Sequence, residues 1–400
     1  MSAPQESLAS TGAAAPREVA SSRGFLRGVT LISGAAAVLE FALPLYLGAV
    51  LDATAAQTGL LVATALVASV ISRFVVGLLV DRHAPHTIAA AGALLYAAAC
   101  AGYATATLTS AFFFAALSGV ATALIWVSVS TVVGRRLRVE PAGFVDLFSS
   151  QQAGNWVIFT PAIFLLAYTD YTVLLYALAA SALVAAVYLT KLSAPQTGSL
   201  TAQTGYAPKR LRAQLPLLVA VATMVLAESG VSLLLLLQLQ RHFELGVGGA
   251  ALVFLPGAIA MSVLPRFLNR AVTRFGRNRM LIVAGASSGL FAVLVLHASS
   301  PAMLAILWIL AAIGWAIIVP LQQAAATEGS HDATIGRSLS RVQISSLLGG
   351  AIGAVAAGFV FESSNRELWV LLFAALSVIG ALLTAITLAR REPDDGRGRA

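Results

Sequence analysis

Three observations predict an all-α polytopic membrane protein with twelve transmembrane helices in two pseudo-symmetric six-helix bundles. The 400-residue chain is 58% hydrophobic and only 10% charged, whereas a soluble domain carries about 25% charged residues. Its apolar runs approach the ~20 residues that cross a bilayer core, and they lack the period-two alternation of barrel strands, so helices must satisfy their backbone groups. A basic turn also recurs 192 residues apart, at Gly77-Leu78-Leu79-Val80-Asp81-Arg82 and at Asn269-Arg270-Ala271-Val272-Thr273-Arg274-Phe275-Gly276-Arg277. Each copy follows the second of six apolar segments, so the chain reads as a duplication.

Residues 1–24 are polar and rich in Ala and Ser, without the apolar core and cleavage site of a signal peptide, and read as a disordered cytoplasmic tail. The N-terminal bundle occupies residues 25–190, with spans at 25–50, 57–80, 87–108, 111–134, 147–168 and 170–190. Gly, Ser, Thr, Gln and a basic end mark 191–213 as a cytoplasmic linker. The C-terminal bundle occupies 214–389, with spans at 214–238, 249–271, 280–298, 302–322, 341–361 and 367–389, and residues 390–400 form a second cytoplasmic tail. Gly349, Gly353 and Gly358 give the eleventh span a small-residue face suited to close helix packing.

Loops after the even-numbered spans carry Arg82, Arg135, Arg136, Lys191, Arg274, Arg277 and Arg337, whereas the other side has only Arg241 and Arg366. The bias places both termini in the cytoplasm of a multi-pass protein of the cell (inner or plasma) membrane. The net charge of +8 follows from this asymmetry, so it implies no nucleic-acid partner. The single cysteine, Cys100, excludes an intramolecular disulfide, and neither a metal-ligand cluster nor a cofactor motif is present. Without a phosphate-binding loop or a hydrolase constellation, the chain does not read as an enzyme.

The 6 + 6 topology, the basic central loop and the Gly77-x-x-x-Asp81-Arg82 turn resemble the major facilitator superfamily over residues 25–390. The turn is similar to that family's signature loop, Gly-x-x-x-Asp-Arg-x-Gly-Arg-Arg, with His83, Ala84, Pro85 and His86 replacing its end. The second copy keeps Arg274, Gly276, Arg277 and Arg279 but has Asn269 for Gly and Thr273 for Asp. The resemblance implies alternating access, with Gly77, Asp81, Arg82, Arg274 and Gly276 latching the halves in the outward-facing state. Physically, Gly77 admits a neighbouring backbone, and Asp81 can accept from a helix N-terminus or pair with Arg82. A solvated helix end is the plainer alternative. The fourth span has Ala115 where proton-coupled members often have Arg, and only Pro161 remains of the fifth-span antiporter pattern.

Four charges lie well inside spans: Glu40, Arg73, Glu228 and Arg266. Each costs about 2.5–3.5 kcal/mol at mid-bilayer, so they should face protein or water. The resemblance implies that spans one, four, seven and ten surround a cavity, which puts both acids on cavity helices. Desolvation disfavours the charge of a carboxyl and a nearby arginine favours it, so an acid between these pulls can exchange protons. This assigns proton coupling to Glu228, with Glu40 sharing the proton or binding substrate. The bland reading is static Glu40–Arg73 and Glu228–Arg266 pairs. Stripes at helical spacing add Trp126, Asn155, Trp308 and Trp315 as substrate-binding positions, although core packing explains such stripes too. The expectation is a monomeric secondary transporter in the lipid bilayer, an antiporter that couples protons to efflux of a drug-like or metabolite small molecule. Proton-coupled uptake of a small organic nutrient is the alternative, and a non-transporting membrane sensor a further one.

Overall fold

The structure, a computed structural model, describes residues 9–137, 140–191, 211–241, 243–245, 247–295, 297–328, 330, 334–361 and 366–389. The first half holds α1 (Ala9–Val50), α2 (Ala55–Arg82), α3 (Pro85–Tyr103), α4 (Leu108–Arg136), α5 (Gly143–Val157), α6 (Phe159–Tyr168) and α7 (Tyr171–Leu189). The second holds α8 (Leu211–Arg241), α9 (Val247–Phe275), α10 (Arg277–Val295), α11 (Pro301–Thr327), α12 (Ile335–Phe361) and α13 (Arg366–Ala389).

Eleven of these helices are long and apolar enough to cross a membrane, and α5 with α6 together make the twelfth crossing. The expected fifth span is broken at Ile158 because Pro161 has no N–H for the Val157 carbonyl and its ring crowds that oxygen. Bonds from Ile158 N–H to Gly154 and from Ala162 N–H to Ile158 carry the chain across the break. α1 starts at Ala9, so residues 9–24 of the expected tail are helical, in keeping with the helix propensity of an alanine-rich start, and its membrane-crossing part begins at Ser22, close to the expected 25. Residues 1–8, 192–210 of the linker and the 390–400 tail lie outside the described residues.

The duplication is visible in packing. In the first half α1 packs on α5 and α7, α2 on α4, and α3 on α4 and α7; in the second, α8 packs on α12 and α13, α9 on α11, and α10 on α11 and α13. Glycines let the backbones touch: a Cβ on Gly154 would run into the Thr30 carbonyl, and one on Gly349 or Gly353 into Ala222 or Leu226 of α8. The surroundings of Gly358 fall outside what is described. The repeat extends to one turn in each half. Asp52 and Glu244, 192 residues apart, both have positive φ (50° and 51°). Each turn is closed by the same bond, from Ala53 N–H to Leu47 (2.9 Å) and from Leu245 N–H to Leu239 (3.1 Å).

The halves meet along two seams, α2 with α12 and α5 with α9. Their contacts gather toward the end that carries the basic turns. There Gly134, near the end of α4, lies against Thr327, Ile335 and Leu339. Deeper in the second seam, Trp156 Nε1 donates to Ser262 Oγ (3.2 Å).

Candidate functional site

Gly77 and Gly336 bring α2 and α12 together: a Cβ on Gly77 would stand 2.9 Å from the Ser340 Cβ, and one on Gly336 would collide with Val80. The approach sets Asp81 against the first turn of α12. Its Oδ1 accepts from the Gly336 N–H (2.8 Å) and its Oδ2 from Arg337 Nε (2.8 Å). The first N–H groups of a helix lack intrahelical acceptors and carry the positive end of its dipole, so an acid from another helix caps α12. The Asp81 side chain is 5% exposed and Arg337 28%. Arg82, by contrast, is exposed, and Arg135 Nη2 donates to the Val80 carbonyl (2.8 Å).

The second copy of the turn does not bridge the halves in this way. Gly276 (φ +86°) provides the tight reversal between α9 and α10, and the Arg274 guanidinium lies 5.4 Å from the Phe275 ring centroid. Arg277 pairs with Glu328, which closes the turn onto its own half.

The charges inside the spans do not pair as expected. Arg73, 5% exposed, faces α12: its Nε donates to Gln343 Oε1 (3.3 Å) and its Nη1 to Ser69 Oγ. Gln343 Nε2 donates in turn to the Trp126 carbonyl (2.9 Å) and Ser130 Oγ (3.1 Å) of α4. Ser340 Oγ donates to the Arg73 carbonyl. Arg266 pairs with Asp146 of α5 (3.0 Å), and both are open, at 62% and 39% exposed. The Glu40–Arg73 and Glu228–Arg266 pairs are therefore absent, because both arginines lie on the faces of α2 and α9 that form the seams. Below Arg266 the second seam is apolar, built on Phe148, Met261, Ala312 and Ala316.

The two acids occupy different surroundings. Glu40 is exposed and within electrostatic range of Tyr96. Glu228 lines a cavity of about 20 Å³, room for one water, enclosed by α8, α10, α11 and α13. Val231, Ser288, Phe291, Trp308, Trp315 and Ser377 share its wall. Among the described residues no ion pair reaches either acid. The Ser288 hydroxyl is buried without a partner, and Ser288 lies 192 residues after Tyr96, so the repeat relates the neighbours of the two acids.

The expected substrate positions separate into three places. Trp308 and Trp315 join Glu228; Trp308 stands edge-on to Phe254 (5.0 Å) and Phe291 (5.5 Å), and Gly257 leaves it room. Asn155 belongs to the α1–α5 contact, accepting from Ser33 Oγ (3.3 Å) and donating to Gln152 (3.3 Å). Trp126 is tied to α12 through its carbonyl. On the polar stripe of α4, the Ser118 and Thr122 hydroxyls donate to Ala115 and Gly119 of their own helix. Gln343, Ser340 and Gly336 escaped the sequence reading because isolated Gln, Ser and Gly letters in an apolar helix carry no periodic signal.

The family profile described as Major Facilitator Superfamily matches residues 28–271 and 217–400. No curated protein matches the sequence. Among solved structures the chain is similar to the human organic anion transporter MFSD10 (TM-score 0.71, 14% identity, covering 92% of this chain and 99% of that one). It is similar to a bacterial homologue of the iron transporter ferroportin in its outward-facing state (0.70, 14%, 92% and 98%). It is also similar to the proton:xylose symporter XylE (0.72, 12%, 94% and 100%).

Proposed function

The chain belongs to the major facilitator superfamily, and on that basis we propose that it is a secondary active transporter that exports a drug-like or metabolite small molecule in exchange for protons. The arginine and lysine bias puts the basic turns in the cytoplasm, so the arrangement described is closed on the cytoplasmic side. Asp81 on the α12 N-terminus is the latch of that state in this reading, and release of the latch lets the halves rock the other way.

The observation that carries proton coupling is Glu228 at a water-sized cavity with no basic neighbour to balance it. A proton is the cation such a carboxyl can take, and Ser288 with one water offers it hydrogen-bond partners. The cavity has room for about one water beside Glu228, with Trp308 and Trp315 in its wall. Glu40, open and unpaired, remains the acid available to a substrate.

An untargeted comparison of metabolites inside and outside cells with and without the protein identifies the cargo. Flux of that compound into vesicles under an imposed proton gradient then tests coupling. Glu228→Gln should abolish gradient-driven flux and retain substrate binding, because Gln resembles the protonated acid in size. Full coupling in Glu228→Gln would sink the assignment.

A further inference from the structure

Among the described residues, no ion pair balances one of the charges in the α2–α12 seam. The acids in ion pairs are engaged elsewhere: Asp81 with Arg337, Asp146 with Arg266, Glu140 with Arg136 and Glu328 with Arg277. Among the described residues, no carboxylate pairs with Arg73, which is 5% exposed and lies nine residues, about 13 Å of helix, inside the end of α2. Its side-chain partners, Gln343 and Ser69, are neutral, and among the described residues its Nη2 makes no hydrogen bond. A guanidinium offers a planar fork of donors shaped for a carboxylate, and an uncompensated one is costly at such depth. Gln343 fills the place of that carboxylate with an uncharged group of the same shape. Its oxygen takes the Arg73 Nε, while its amide nitrogen is held by the Trp126 carbonyl and Ser130.

We propose that Arg73 anchors an acidic group of the transported molecule and that the Gln343 carboxamide is its built-in competitor. The proposal rests on the transporter reading above and gives its cargo a chemical class: amphoteric molecules, with a carboxylate for Arg73 and a cationic group for Glu40. When α12 moves away from α2, the carboxamide leaves and a carboxylate takes the fork. When the seam closes, Ser340 returns to the Arg73 carbonyl, Gln343 returns to Nε, and the anion is displaced toward the open end. Closure and release are thereby one event.

The test uses the full chain in lipid nanodiscs, with thermal unfolding followed during titration by sodium benzoate or its neutral counterpart benzamide at fixed sodium chloride. Benzoate should raise the unfolding midpoint and benzamide should not. Arg73→Gln should weaken the benzoate response by about tenfold or more, the scale of one hydrogen bond to a charged group. Gln343→Ala, which removes the competitor, should strengthen it by a similar factor. Gln343→Glu, which supplies a permanent counter-charge, should abolish it and raise the midpoint of the unliganded chain. Equal responses to benzoate and benzamide, no benzoate response in both the unmodified chain and Gln343→Ala, or the same response in Gln343→Ala and Gln343→Glu would each overturn the assignment. Because binding is the readout, a chain that binds benzoate yet shows no proton-driven flux refutes export and leaves the anion seat standing.

Discussion

Asp81→Asn tests the latch most directly. The carboxylate accepts two bonds at 2.8 Å, one from a backbone N–H and one from a guanidinium, and its side chain is 5% exposed. An asparagine keeps one oxygen but turns an amide donor toward one of two donors, so one bond is lost and the other loses its charge assistance. Hydrogen bonds to charged groups are worth about 1.5–3 kcal/mol each, and water recovers part of that when the seam opens, which leaves a cost of about 2–4 kcal/mol to the closed seam. At about 1.4 kcal/mol per factor of ten, the closed-to-open ratio should fall roughly 30- to 700-fold. The native thiol, Cys100, is buried and can be replaced by Ala to give a silent background. Thr327→Cys, at a residue packed against Gly134, reports on the closed end, and Gly48→Cys, with nothing within 4 Å of its Cβ, on the opposite end. With an impermeant maleimide, Asp81→Asn should speed labelling at 327 and slow it at 48. Unchanged rates at both would refute the latch.

Gly77→Ala should weaken the same seam without altering any charge, because its Cβ meets Ser340; the expected cost is about 1–3 kcal/mol, read from labelling at 327. Gly119→Ala drives a Cβ into the Ala65 carbonyl between α2 and α4, so it should lower the unfolding midpoint while leaving the labelling ratio unchanged. Arg266→Ala removes an exposed ion pair worth about 1 kcal/mol or less, and labelling should change by less than about fivefold. A larger change would make the second seam a latch of equal rank.

What the sequence disclosed follows from which properties are written along the chain. Span length, apolar runs and the 192-residue register are linear features, and they led to both bundles and to the contact of Gly77 and Asp81 with a neighbouring helix. Rotation about a helix axis is not linear. Arg73 and Glu40 lie in the same bundle, yet one turns to α12 and the other does not, so a pairing argued from depth alone failed. Pro161 was legible as a motif remnant, although its physical effect was to divide the fifth crossing. The Ser118 and Thr122 hydroxyls donate to their own backbone, and Thr122 Oγ1 also meets Ser69 Oγ of α2 (3.1 Å), contacts that spacing alone does not reveal. The paired turns at Asp52 and Glu244 were available from the register itself.

The signs of the bridging charges have a consequence for assembly. In the two ion pairs described across the seams, the acids, Asp81 and Asp146, belong to the first half, and the bases, Arg337 and Arg266, belong to the second. Two first halves set face to face would lose both of these ion pairs, and two second halves would lose them and oppose guanidiniums. Opposite charges at these contacts favour the pairing of each half with its complement over a copy of itself. Cutting the chain between residues 191 and 211 would leave two polypeptides that carry, in two carboxylates and two arginines, the instructions for finding each other.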